Sequence, residues 1–223
     1  MAGTVLVTGG AKRIGKAICE ALRARGWTVL VQSRDPACPL CAELSAPRAA
    51  EDLFARACAV APDLCAIVNN ASVFSLAADL PPEAADRLHH VNAAVPIRLA
   101  ELLHARLRAR RRTGAVVHLL DTRVLNVSDA ALRTPYARSK AALRDATYVQ
   151  ARASAPVLRV NAVAPGPVLL PAAPACGEPG GPILLDRRPT PPDVAEAVTF
   201  LLESRFLTGQ ILAVDAGQSL LRV

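Results

Sequence analysis

Apolar and polar positions along this chain fall into alternating blocks of two kinds. Short, nearly continuous apolar runs occupy 4–8, 28–32, 64–68, 115–120, 157–163 and 211–214. Such runs read as strands buried on both faces, because a half-exposed strand would alternate every second residue. Between them apolar residues recur every three or four positions, predicting helices over 14–26, 47–60, 84–111, 136–153 and 192–203. Ile14, Ala17, Ile18, Ala21 and Leu22 form one such stripe, and Val194, Ala197, Val198, Leu201 and Leu202 another. Thr190-Pro191-Pro192-Asp193 marks the start of the last helix: a capping residue, proline in the first turn and an acid three residues on. Strand and helix alternate throughout, which predicts an α/β fold, a parallel sheet with helices on both faces.

The rhythm breaks twice. No helix fits between Ser33 and Leu40, although a parallel neighbour strand ordinarily needs a crossover of about a dozen residues. Residues 38–44 therefore either pair irregularly or run over the sheet edge. The second break, 165–192, holds six prolines from Pro165 to Pro182 and cannot be one long helix. It reads as an irregular loop beyond the carboxyl end of a strand, where open α/β sheets bind ligands.

Composition narrows the function classes. A chain of 223 residues suits one domain, 1–223. No run of 18 apolar residues occurs, and the N-terminus enters a strand with no leader pattern, so a cytoplasmic protein with no membrane partner is expected. The net charge of +7 fits an anionic small-molecule ligand. The Arg106–Arg112 cluster has no interleaved aromatics and sits where a helix ends, so no nucleic-acid partner is expected. Cys38-Pro39-Leu40-Cys41 has no second ligand pair, so no metal site is expected, and Cys19, Cys58 and Cys65 read as core thiols.

The chemistry concentrates at a few places. Thr8-Gly9-Gly10-Ala11-Lys12-Arg13-Ile14-Gly15 joins the first strand to the first helix. Glycines there let a phosphate approach the backbone, and the helix N-terminus offers it N–H groups and partial positive charge. This is the plan of a dinucleotide-binding unit, with glycines spaced differently from the G-x-G-x-x-G pattern. At the end of the second strand stand Ser33 and Arg34, a hydroxyl and a guanidinium suited to a ribose 2′-phosphate, which favours NADP(H) as cofactor. Asp35 keeps NADH open. Tyr136 and Lys140 lie four apart on one helix face, and an ammonium near a phenol is expected to lower the phenol's pKa and make it a usable proton donor.

In this order the motifs resemble the short-chain dehydrogenase/reductase family over nearly the whole chain. The resemblance runs through Thr8–Gly15, Asn69-Asn70-Ala71-Ser72, Asn92, Tyr136 with Lys140, Pro165-Gly166 and Thr208-Gly209-Gln210 before Asp215. It implies a Rossmann-type doubly wound parallel sheet, here with the helix between strands 2 and 3 missing. Lys12-Arg13, the string Asn69-Asn70-Ala71-Ser72-Val73-Phe74, and Asp121 resemble in particular the pteridine reductase and dihydromonapterin reductase branch.

The resemblance implies Tyr136, Lys140, Asp121 and Asn92 as catalytic residues, Asn92 helping to hold a water in a proton relay. It implies cofactor contacts from Gly9, Lys12, Arg13, Ile14, Gly15, Ser33, Arg34, Glu43, Leu44, Asn70, Ala71, Ser72, Tyr136, Lys140, Pro165, Gly166 and Val168. It implies substrate contacts from Arg13, Phe74, Asp121 and Tyr136, with Phe74 stacking a flat heteroaromatic ring. The expected reaction is hydride transfer from NADPH to a dihydropterin or dihydrofolate-type small-molecule substrate. The alternatives are a ketone or 3-oxoacyl reductase, or a non-catalytic NADP-binding protein. The family association is a homodimer or homotetramer through helices 84–111 and 136–153. Three features depart from the family pattern, one being the substrate loop 165–192, shorter than the family's and proline-rich. The Asp121–Tyr136 interval is two residues longer than the family's, so either 126–134 bulges or Arg123 takes the acid's place. The last strand leads into Asp215-Ala216-Gly217 where the family has two glycines.

Overall fold

The computed structural model describes residues 3–75, 77–125, 133–168 and 181–222. Among the described residues seven strands form one sheet: β1 (Thr4–Thr8), β2 (Thr28–Ser33), β3 (Leu40–Cys41), β4 (Leu64–Asn69), β5 (Gly114–Leu119), β6 (Leu158–Pro165) and β7 (Ile211–Val214). Their order is β3-β2-β1-β4-β5-β6-β7, and every pairing is parallel. The chain winds outward from β1 in one direction and from β4 in the other. The switch between β1 and β4 opens a crevice at their carboxyl ends, where doubly wound sheets bind ligands.

Six α-helices of the described residues cover the sheet: α1 (Arg13–Ala24), α2 (Ala49–Val60), α3 (Pro82–His89), α4 (Val95–Ala109), α5 (Pro135–Ser154) and α6 (Pro191–Glu203). Alternate strand residues serve opposite faces. Val5 and Val7 pack with Ile18, Leu22, Val198 and Leu201 of α1 and α6. Leu6, between them, packs with Leu53, Leu99 and Leu103 of α2 and α4. Both faces are sealed, which is why these strands read as continuous apolar runs.

The helix predicted over 84–111 is in fact α3, a π turn over His90–Ala94, and α4. Pro96 has no N–H to give the carbonyl four residues back, that of Asn92, so a regular α ladder cannot run through this point. The 33–44 puzzle resolves as a parallel strand of two residues at the sheet edge, with Gln32 opposite Leu40 and Ser33 opposite Cys41. Because β3 pairs only with the last residues of β2, the chain need not travel back along the sheet, and no crossover helix is required. Thr190 and Asp193 form the expected capping box at α6. Ala216 takes a left-handed φ of 55° ahead of Gly217 at 79°, so the alanine adopts the conformation a glycine would favour. Residues 169–180 of the 165–192 loop and residues 126–132 of the expected 126–134 bulge lie outside the described residues.

Candidate active site

The glycine turn is built for close approach. Gly9 has φ 63°, and a side chain at Gly15 would run into the Gly9 carbonyl oxygen and the Asn70 amide. Thr8 Oγ1 accepts from the Asn70 N–H at 3.0 Å and the Ala71 N–H at 3.1 Å. Asn70 Nδ2 donates to the carbonyls of Thr8 and Gly9, each at 3.0 Å. These bonds join the exits of β1 and β4 across the switch point. Gln32 secures the other side. Its Oε1 accepts from the Gly9 N–H at 2.9 Å, and its Nε2 donates to the Ala42 carbonyl at 2.8 Å. Sequence reasoning missed both Thr8 and Gln32; the one available signal was a buried-type glutamine ending an apolar run.

Over this turn lies a cleft of ≈ 1170 Å³, somewhat larger than the usual range for small-molecule sites. Gly9, Lys12, Arg13, Ile14, Gly15, Ser33, Arg34, Glu43, Leu44, Asn70, Ala71 and Ser72 all line it, with Phe74 and Tyr136. So does Arg87 of α3, which the sequence did not single out. The first turn of α1 carries no acid, and Lys12 and Arg13 are exposed at its start, so the helix end is free to meet an anion. Glu43 sits between Arg34 Nη1 at 3.8 Å and Arg87 Nη2 at 3.9 Å. The Ser45 N–H, more than these guanidinium groups, holds its carboxyl below the usual value. Asp35 spends its carboxylate on the Ala37 N–H at 3.0 Å. Pro165, Gly166 and Val168 stand apart from the cleft lining. Pro165 ends β6, the Gly166 N–H donates to the Val214 carbonyl at 3.0 Å, and Val168 packs against the α1–α6 core.

At one end of the cleft a titratable cluster forms. The Tyr136 hydroxyl donates to Asp121 Oδ2 at 3.1 Å. Asp121 Oδ1 accepts from the Arg123 N–H at 2.8 Å, and Arg123 Nη1 lies 3.4 Å from Oδ2. The Phe74 ring meets Tyr136 edge to face, centroids 4.8 Å apart, and the Arg123 guanidinium lies 5.6 Å from the Phe74 centroid. Asp121, not Arg123, therefore occupies the acid position facing the phenol.

Lys140 is buried and donates to the Leu119 carbonyl at 2.7 Å. Burial pulls its pKa down to about 8, against the opposing pull of Asp121. The expectation that Lys140 lowers the tyrosine's pKa is not met. Its Nζ stands 6.0 Å from the ring centroid, while burial, then the Asp121 carboxylate, pushes Tyr136 well above its ordinary value of 10. Among protein groups alone, the phenol is a held proton.

Asn92 is wholly buried within the π turn. Its Oδ1 accepts from the Val73 N–H at 2.8 Å and from Ser72 Oγ at 3.1 Å. Its Nδ2 donates to the Val73 carbonyl at 2.8 Å and to Ser139 Oγ at 3.2 Å. Ser139 Oγ in turn donates to the Tyr136 carbonyl at 2.7 Å. Asn92 thus ties the strand of chain leading to Phe74 to the helix carrying Tyr136 and Lys140. A π turn at such a place is a recurrent device of functional sites. Among the described residues no cluster of three His, Cys, Asp or Glu is placed to hold a metal, and no helix is long and apolar enough to cross a membrane. Of the cysteines read as core thiols, Cys19 is buried, whereas Cys58 and Cys65 are only partly so.

A glycine-rich turn at the switch of a doubly wound sheet, sharing a cleft with Tyr136, whose helix also carries the buried Lys140 and is bonded to Asn92, defines a nucleotide-dependent oxidoreductase site. A family model described as enoyl-(acyl carrier protein) reductase matches residues 9–219. Dihydromonapterin reductase of Klebsiella pneumoniae is 30% identical over 237 residues, covering 97% of this chain and 96% of that protein. Bovine L-xylulose reductase is 32% identical, covering 95% and 94%. The crystal structure of FolM alternative dihydrofolate reductase 1 from Brucella canis, complexed with NADP, superposes with a TM-score of 0.81 at 33% identity over 97% of this chain and 94% of that one. The chain belongs to the short-chain dehydrogenase/reductase family and is an oxidoreductase.

Proposed function

We propose that this enzyme is an NADPH-dependent reductase of a flat pteridine-type ring, a dihydropterin or dihydrofolate. One observation carries the substrate reading: an aromatic ring, Phe74, and a carboxylate, Asp121, both in contact with the Tyr136 phenol. A flat heterocycle gains from stacking on Phe74, and a carboxylate suits the N–H groups along a pterin edge. The Brucella and Klebsiella relatives, named for dihydrofolate and dihydromonapterin reduction, support it.

The cleft fits the dinucleotide, because Gly9 and Gly15 leave the backbone open where any Cβ would close it. Lys12, Arg13, Ile14 and the α1 N-terminus hold the pyrophosphate, and Ser33 and Arg34 hold the 2′-phosphate. Glu43 and Leu44 flank the adenine. Asn70, Ala71 and Ser72 border the nicotinamide half. NADPH supplies a hydride to a ring carbon when bound. Tyr136 gives its proton to the adjacent ring nitrogen, so that C=N becomes CH–NH. Asp121 orients the ring and relays protons, Lys140 holds the ribose hydroxyls, Arg13 reaches toward the substrate, and Asn92 helps hold the relay. The unit acts as one domain and associates as a homodimer or homotetramer through α4 and α5; the exposure of Tyr148 and Val149 on α5 supports this.

A ketone is the second reading, favoured by the likeness to L-xylulose reductase and by the protonated phenol, which would serve a carbonyl oxygen without Phe74. NADPH oxidation with a 7,8-dihydropterin and a ketone panel separates the two. Turnover of the dihydropterin, abolished in Phe74→Ala, is the expected result. Turnover of ketones alone, unchanged in Phe74→Ala, would overturn the pteridine reading.

A further inference from the structure

Directly behind the site lies a chain of three buried polar side chains, Asn69 at the end of β4, His118 in β5 and Gln150 in α5. Asn69 Nδ2 lies 3.3 Å from the Pro96 carbonyl and 3.1 Å from His118 Nδ1. His118 Nε2 lies 3.3 Å from Gln150 Oε1, and Gln150 Nε2 donates to the Ile97 carbonyl at 2.9 Å. The direction of every bond is fixed by its two ends. A backbone carbonyl only accepts, so both amides must turn their NH₂ groups toward Pro96 and Ile97. Nδ1 then accepts from Asn69, and Nε2 carries the proton and donates to Gln150. This pattern is satisfied only by neutral imidazole. A second ring proton would point at the Asn69 NH₂. Burial, which draws the His118 pKa down to about 4, acts in the same direction.

Both ends of the chain land on consecutive carbonyls, Pro96 and Ile97, immediately after the π turn that carries Asn92. Pro96 is also the residue that breaks the α ladder there. We propose that Asn69, His118 and Gln150 form a positioning triad that sets the register of this π turn, and through Asn92 aligns Phe74 with Tyr136 and Lys140. The triad touches neither the cleft nor the reacting groups. It acts by holding the start of α4 against β4, β5 and α5 at once, where an apolar contact would allow the helix to slide by part of a turn. This inference rests on reading the cleft as a reductase site, though one arm of its test does not.

The test compares the wild type with His118→Phe, with Gln150→Leu as the second variant should the first not fold. The control is Thr199→Val, which removes a buried hydroxyl bonded to the Ala195 carbonyl in α6, away from the site. Hydrogen exchange needs no substrate. The amides of residues 91–95 should exchange about tenfold faster or more in the triad variants and stay unchanged in the control. Unchanged protection there in a folded triad variant would overturn the proposal, whatever the substrate proves to be. The second arm is a cycle with Asn92→Ala, run on whichever substrate the wild type reduces. His118→Phe alone should lower kcat by about 10- to 100-fold with the Kd for NADPH nearly unchanged. In the Asn92→Ala background it should cost less than about twofold more, because its route is already cut. Fully additive losses would mean that the triad does not act through Asn92.

Discussion

The neutrality of His118 makes the stability of the fold depend on pH. Its pKa is drawn from 6.5 to about 4, first by burial and further by the Lys140 charge, against the Gln150 hydrogen bond. In the unfolded chain the imidazole takes a proton below its ordinary 6.5; in the folded chain it refuses one until about 4. Stability from this group is therefore complete above pH 6.5 and drains as pH falls toward 4. The full difference amounts to ~3 kcal/mol, of which ~2 kcal/mol should be lost between pH 7.5 and pH 5. That is a large share of a typical domain's stability.

Urea unfolding of the wild type and of His118→Phe across that interval isolates the effect, because every other titrating group is common to both. The variant is expected to start less stable but to lose ~2 kcal/mol less on acidification. If the two curves ran parallel within about 0.5 kcal/mol, His118 would be titrating normally in the folded chain, and the directed hydrogen-bond chain would be wrong.

Gly15→Ala places a methyl against the Gly9 carbonyl and should cost about 1–3 kcal/mol of stability. NADPH binding, followed by fluorescence or calorimetry, should weaken by more than that of a helix-surface alanine such as Glu20→Ala. Arg34→Ala should weaken NADPH binding about 10- to 100-fold while leaving NADH nearly unaffected, since only NADPH carries the 2′-phosphate. Equal losses for both cofactors would remove Arg34 from that role. With increasing pH, the reduction rate should fall through an apparent value near the Lys140 pKa of about 8, as the buried ammonium loses its charge. Tyr136, pushed well above 10, keeps its proton across that range, so a profile flat to pH 10 would refute a requirement for charged Lys140.

The parallel α/β architecture, five helices and six of the seven strands were legible from local patterns. The ends of Thr4–Thr8 coincide with the apolar run, because both faces of the sheet are sealed there. The Gly9–Gly15 turn and the four-residue step from Tyr136 to Lys140 were equally readable, since each depends on backbone geometry over a few residues. The π turn escaped notice because its apolar stripe continues from α3 into α4; Pro96 was the sole trace of it. The two-residue β3 is too short to have a period at all.

Spacing along the chain nominated Tyr136 with Lys140, and the resemblance to the short-chain dehydrogenase/reductase family nominated Asp121, Asn92 and Phe74. Their electrical state was not readable in the same way. Only in three dimensions do burial and then Asp121, which meets the phenol fifteen positions on at 3.1 Å, turn an expected lowering of the Tyr136 pKa into a rise. His118, an unremarked residue inside an apolar strand, becomes the middle of a bond chain only when β4, β5 and α5 converge on the start of α4. Periodicity and torsional demands are local, so the linear order of residues specifies them. Charge, desolvation and hydrogen-bond direction depend on separations of a few ångströms between groups distant in the chain, and folding alone sets those.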